Sequence, residues 1–94
     1  MYTFIRSRDF EKSFRRLGNG DFREVIKKEL SQIINTLVFG KNLGPKYRDH
    51  KLNGIYAVCR ECHVKNDLLL IYQIRKEDQI LVLIDIGSHS YLFE

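Results

Sequence analysis

Three histidines and one aspartate are the residues of this chain best suited to moving protons: His50, His63, Asp67 and His89. His50 stands in a long polar segment, His63 at the end of a loosely alternating run, Asp67 in a turn, and His89 just past the last apolar run. Such ends and connections are where a scaffold presents functional groups. Imidazole titrates near pH ~6.5, so it can take or give a proton at neutral pH, while an aspartate acts as a base or orients a ring. A chemistry that suits this set is cleavage of RNA without a metal. The ribose 2′-hydroxyl must lose a proton to attack the adjacent phosphorus, and the departing 5′-oxygen must gain one. Arg48, Lys51, Arg60 and Lys65 are cations able to balance charge on a phosphorane-like transition state. Tyr47, Tyr91 and Phe93 offer rings for stacking on an unpaired base. The plain alternative is that the four proton-moving residues are ordinary surface groups, and that Tyr47 and Tyr91 pack in the core or in loops.

Residues 59–63 read CRECH, the C-x-x-C-H spacing that attaches a c-type haem. In an extended strand, side chains three apart point to opposite faces, so these two thiols would not hold one haem or one zinc together. A structural zinc needs four ligands, and the sequence has no second cysteine pair. Haem attachment also requires export, whereas the opening MYTFIRSRDF has no apolar signal core and no apolar run nears the ~20 residues of a membrane span. The chain therefore reads as cytoplasmic, with reduced thiols that serve as small buried hydrophobes, and with no metal or organic cofactor.

The 94 residues suffice for one domain. The formal charge is +4 and is uneven: residues 1–47 hold ten Lys/Arg against five Asp/Glu, residues 48–94 six against seven. A basic surface favours an acidic or polyanionic partner. Tyr2–Arg6 reads as a strand. Phe10, Phe14 and Leu17 keep helical spacing up to Gly18, with Arg8, Lys12, Arg15 and Arg16 on the far side, either a solvated face or a surface for phosphates or an acidic chain. Asp21 and Glu24 suggest a capping box. Behind it Phe22, Val25, Ile26, Leu30, Ile33, Ile34, Leu37 and Val38 form the core stripe of a second helix that Gly40 ends. Residues 40–54 read as a long connection, 55–63, 68–75 and 80–87 as strands, and SHSYLFE as closing coil. The expected class is α+β: an N-terminal strand and two helices packed on one face of a mainly antiparallel sheet of about four strands.

The pieces YRDHKLNG (47–54), RECHVKNDLLLIYQI (60–74) and LIDIGSHSYLF (83–93) resemble the bacterial YafQ toxins of the RelE superfamily. Their combination of D-H-x-L-x-G, C-H-x-x-x-D and G-S-H-x-x-x-F is specific, while the N-terminal half is similar only in its order of elements. The resemblance implies a RelE-like fold and a type II toxin that cuts mRNA in the ribosomal A site, beside ribosomal RNA, and so arrests translation without a cofactor. It implies an acidic antitoxin as partner, operator DNA bound only through that antitoxin, and no membrane. The family's catalytic positions fall on His50, His63, Asp67 and His89, with Phe93 beside them. His89 is then a candidate general acid and Asp67 a candidate base. The cations come from charge and position alone. Glu61 is a departure, a negative charge close to the proposed phosphate site that is expected to turn away or pair with a Lys or Arg. Two other readings stay open: a same-fold toxin that binds another target such as DNA gyrase, and a non-catalytic RNA-binding domain.

Overall fold

A computed structural model gives the structure of the chain and describes residues 1–18 and 20–94. In order come β1 (Thr3–Arg6), α1 (Arg8–Arg16), α2 (Asp21–Val38), β2 (His50–Lys51), β3 (Arg60–Lys65), β4 (Leu68–Arg75), β5 (Ile80–Ser88) and α3 (His89–Phe93). Short 3-10 turns at Pro45–Tyr47 and Gly54–Tyr56 break the long connection. The strands form one sheet in the order β1-β5-β4-β3-β2, with β1 parallel to β5 and the remaining pairs antiparallel. The class is as expected, with five strands rather than four because His50–Lys51 pairs with β3.

The core lies between the sheet and the first two helices. Phe10 of α1 and Ile26, Leu30, Ile33 and Leu37 of α2 pack with Cys62, Val64, Leu68, Leu70, Tyr72, Leu81, Leu83 and Ile86. Each fully buried Leu or Ile of this set contributes ~1.5–3 kcal/mol. The core stripe stops short at the start of α2, where Phe22 and Val25 are exposed. No capping box forms there either: Gly20 is the N-cap at φ 88°, and Asp21 is already helical. Asp21 and Glu24 still lie in the first turn, where the helix dipole favours negative charge. At α1 the cap is Ser7, whose hydroxyl accepts from the Phe10 N–H (3.0 Å) and donates to the Ile84 carbonyl (2.6 Å). Arg8, Lys12, Arg15 and Arg16 are all exposed.

Two further boundaries differ from the sequence expectation. Residues 55–59 turn rather than extend, because Gly54 takes a left-handed φ of 66° and the Ala57 N–H bonds back to the Gly54 carbonyl at 3.1 Å. The closing segment is helix, not coil: Ser88 caps α3 by accepting from the Tyr91 N–H at 3.1 Å.

Candidate active site

β4 is buried along both faces at its start. Leu70 and Tyr72 belong to the core under the helices, so the alternation of a strand sends Leu69 and Ile71 to the other face. Directly paired residues share a face. His63 pairs with Leu69 and Leu69 with Gly87; His50 pairs with Glu61 and Glu61 with Ile71. His50, Glu61 and His63 therefore stand on the face turned away from α2.

The same register fixes the end of the sheet. Leu68 pairs with Ser88. Asp67 immediately precedes the first and His89 immediately follows the second, so they leave neighbouring strands at one end, where strands lie ~4.8 Å apart. Asp67 sits in the two-residue turn between β3 and β4, with Asn66 at φ 52° making the reversal. Just before it, β3 carries one extra residue between His63 and Lys65, and bulges of this kind re-aim side chains. His63 is thus inside β3, not at its end, and is half-buried.

A groove of about 550 Å³ runs along this edge and is lined by Lys46, Tyr47, Arg48, His63, Lys65 and Asp67, with Glu29 of α2. Three cations face it against two carboxylates. Tyr47 is a wall rather than a free platform: it packs on the core, and its hydroxyl donates to Glu29 at 3.3 Å.

His50 is held at both ring nitrogens. Nδ1 lies 2.8 Å from the Arg48 carbonyl, and Nε2 lies 3.3 Å from Glu61 Oε1. Both partners accept, so each contact needs a proton on the ring nitrogen that makes it. The expected pairing of Glu61 with a Lys or Arg is corrected: its partner is His50. Glu61 is only 5% exposed, and a carboxylate that deep requires a partner. With both ring nitrogens engaged, His50 must release Glu61 or the Arg48 carbonyl before it can contact a phosphate or exchange a proton.

His89 and Phe93 stand four apart on α3, on one side of the helix, with ring centroids 5.1 Å apart. Phe93 meets Tyr56, from the turn after β2, edge-on at 5.9 Å. His89 is exposed, and its contact to Glu94, 3.9 Å from Nδ1, is long. Tyr91 points the other way. Gly87 is buried, and a Cβ there would strike the Tyr91 ring, whose Cγ would be 3.1 Å away. That glycine lets α3 lie directly on β5.

Two of the candidate cations are not brought to this site. Arg60 precedes Glu61 and lies on the helix side, where Nε and Nη2 bond the Asp49 carboxylate at 3.2–3.3 Å and the Tyr72 hydroxyl donates to the same carboxylate. That hydrogen bond from the guanidinium to Asp49 raises the Arg60 pKa above its usual value. Lys51 pairs with Arg60 across β2 and β3, and both line a second groove of about 680 Å³ with Lys41 and Lys76. Cys59 and Cys62 are both buried free thiols, as expected.

The fold and these motifs have known counterparts. A family model described as the bacterial toxin of a type II toxin-antitoxin system, YafQ, matches residues 2–94. This chain is a YafQ-family toxin. It is similar to a putative YafQ toxin of Haemophilus influenzae, 30% identical over 73 residues, which are 78% of this chain and 72% of that protein. Among solved structures, a metal-bound toxin from Helicobacter pylori superposes with a TM-score of 0.85 at 41% identity, covering 99% of this chain and 100% of that one. YafQ in the DinJ–YafQ complex of E. coli superposes with a TM-score of 0.80 at 25% identity over the full length of both.

The Helicobacter relative is metal-bound, so the donors of this toxin were compared with what a metal requires. Among the described residues no group of three or more His, Cys, Asp or Glu is arranged to hold an ion. Three residues of this toxin's site lay beyond the sequence pattern: Glu61 as the partner of His50, Tyr56 against Phe93, and Gly87 beneath Tyr91. The G-S-H motif carries the signal for the last, since a buried glycine in a strand marks close approach of another group.

Proposed function

We propose that this toxin is an endoribonuclease that cuts mRNA on the ribosome, in the cytoplasm, by metal-independent acid–base chemistry. The observation that carries the reading is the pairing of Leu68 with Ser88, which sends Asp67 and His89 off neighbouring strand ends beside the face that bears His50 and His63. An acid and a base on either side of one phosphodiester are what cleavage through the ribose 2′-hydroxyl needs.

Asp67 takes the 2′-hydroxyl proton as that oxygen attacks phosphorus. His89 gives a proton to the 5′-oxygen as its bond to phosphorus breaks, leaving a 2′,3′-cyclic phosphate and a 5′-hydroxyl. His63, Arg48 and Lys65, which line one groove, bind the non-bridging oxygens, and His50 joins them when it releases Glu61 or the Arg48 carbonyl. Phe93, backed by Tyr56, stacks on a base next to the scissile bond. Lys51 and Arg60 line the other groove and do not bind at the cut.

Two observations support neutralisation by an acidic antitoxin. The E. coli YafQ that superposes on this chain was crystallised with DinJ, and the present toxin carries +4. Operator DNA is then reached through the antitoxin. The test is primer extension on mRNA from cells briefly expressing wild type or His89→Ala. New 5′ ends with wild type alone, and a loss of cleavage of at least ~100-fold in the variant, support the nuclease. Growth arrest with intact mRNA overturns it and moves the target to a partner such as DNA gyrase.

A further inference from the structure

α3 carries two of the proposed active-site residues, yet it has only five residues, none of them buried. Helices this short do not hold themselves, because nucleation is unfavourable and there is almost no length over which to recover it. Something outside the helix must fix it. The Tyr91 ring lies against Gly87 on one side and under the Arg16 guanidinium, 5.6 Å from its centroid, on the other. Its hydroxyl is 2.9 Å from Ser13 Oγ, a side chain on α1 that is 3% exposed. Ser13 in turn donates to Asp85 Oδ1 at 2.6 Å, and the same oxygen accepts the Ile86 N–H at 2.8 Å.

The proton count sets the direction of this chain. A serine hydroxyl has one proton, and a carboxylate can only accept. Ser13 spends its proton on Asp85, so Tyr91 must be the donor to Ser13. The order Tyr91 to Ser13 to Asp85 links α3, α1 and β5. Two residues to either side of Tyr91, about 200° around the helix, lie His89 and Phe93. Fixing the tyrosine ring against Gly87 therefore places His89 and Phe93 together on the opposite side of α3.

Resting on the nuclease reading, we propose that Tyr91 is a positioning residue for His89 and Phe93, acting through its hydroxyl and the Ser13–Asp85 relay. The ring sets how close α3 lies to β5; the hydroxyl sets its rotation. A network that merely stabilised the fold would leave the His89 and Phe93 rings where they are when the hydroxyl is removed.

The test uses the full-length toxin with ribosomes and a defined mRNA, and compares wild type with Tyr91→Phe, Ser13→Ala and the double variant. Tyr91→Phe keeps the ring on Gly87, and the expected result is a fall in kcat of about tenfold at unchanged KM, with the double variant no worse than either single one. In parallel, NMR of the free proteins follows the Tyr56–Phe93 and His89–Phe93 ring contacts, which should weaken in each variant while core signals stay put. Wild-type kcat together with unchanged ring contacts overturns the proposal, as does a loss of activity that matches the unfolded fraction. If the wild type itself does not cut, the nuclease reading fails, and the ring contacts alone then decide whether the hydroxyl orients α3.

Discussion

Two polar clusters tie loop and terminal segments of this toxin to its sheet: in one a tyrosine hydroxyl bonds an aspartate directly, in the other it reaches the aspartate through a serine. On the helix side, Asp49 accepts from Tyr72 and from the Arg60 guanidinium, fixing the residue just before His50. Near the other long edge, Asp85 accepts from Ser13, which Tyr91 reaches from α3. The first cluster contains an ion pair; the second has one carboxylate and neutral donors. Removing the centre of an ion-paired cluster strands a charge, whereas trimming a neutral hydroxyl removes one bond of about 1 kcal/mol. The first cluster should therefore govern stability and the second should govern the placement of α3, which carries His89 and Phe93.

The largest effect expected from this contrast is on stability. Asp49→Ala leaves Arg60 without its carboxylate and the buried Tyr72 hydroxyl without an acceptor. Arg60 is 41% exposed at the side chain, so water recovers part of the loss. A destabilisation of about 2–3 kcal/mol is expected, or roughly 10 °C or more in Tm for a chain of this size. A Tm within two or three degrees of wild type would place the cluster among ornaments of the fold. Next comes Gly87→Ala. The added methyl meets the Tyr91 ring, and overpacking of this kind costs about 1–3 kcal/mol. The ring can escape by swinging α3 away, so RNA cleavage at a temperature where the variant is folded should fall further than stability does. Unchanged cleavage in folded Gly87→Ala would show that α3 is not held by this contact.

A smaller effect separates the clusters by pH. Burial, helped by the charges of Asp49 and Glu61, pushes the Cys62 thiol up from about 9 to about 12. Burial first, and the bond to Asp49 second, push the Tyr72 phenol upward from about 10. In the unfolded chain these groups lose their protons near 9 and 10; in the folded chain they keep them longer. The folded state then binds more protons above pH ~9, so stability is complete below that pH and falls as pH rises, by at most ~1.4 kcal/mol per unit for each group. Tyr72→Phe costs about 1 kcal/mol at neutral pH but escapes its share of the alkaline loss. The gap between wild type and variant in urea melts should close between pH 8 and 11. A constant gap would mean that Tyr72 is not held neutral by its surroundings.

How much of this was legible beforehand follows from the range of each interaction. The helical stripe of α2 and the apolar runs of β4 and β5 are local patterns set by the core, and the sequence displays them directly. The three motifs with His50, His63, Asp67 and His89 were legible as residue types at fixed spacing. What the pattern could not display is which face a residue takes. Arg60 sits one position from Glu61 and three from His63, close in sequence, yet strand alternation puts it across the sheet from both. Glu61 read as a charge hostile to phosphate because its partner, His50, comes from a strand of two residues inside what looked like an open loop. α3 read as coil because its five residues fold on a cap and a tyrosine bond to a helix more than seventy residues away.

The two grooves allow a last and smallest contrast, between cations of the same type. Lys65 lines the groove with His63 and Asp67, while Lys51 lines the one behind the sheet. Both are exposed, so neither should matter to folding. If cleavage happens at the groove of His63 and Asp67, Lys65→Ala removes one phosphate contact there and should raise KM several-fold at low salt with kcat nearly unchanged, an effect that shrinks as salt screens the charge. Lys51→Ala removes the same charge from the other groove and should leave the KM for a short mRNA near wild type. Equal KM changes in the two variants would mean that the toxin senses its RNA by net charge alone, and the division of the cations between the two grooves would carry no meaning for binding. A change confined to Lys65 would fix the path of the RNA backbone along the β3 edge, toward Asp67 and the start of α3.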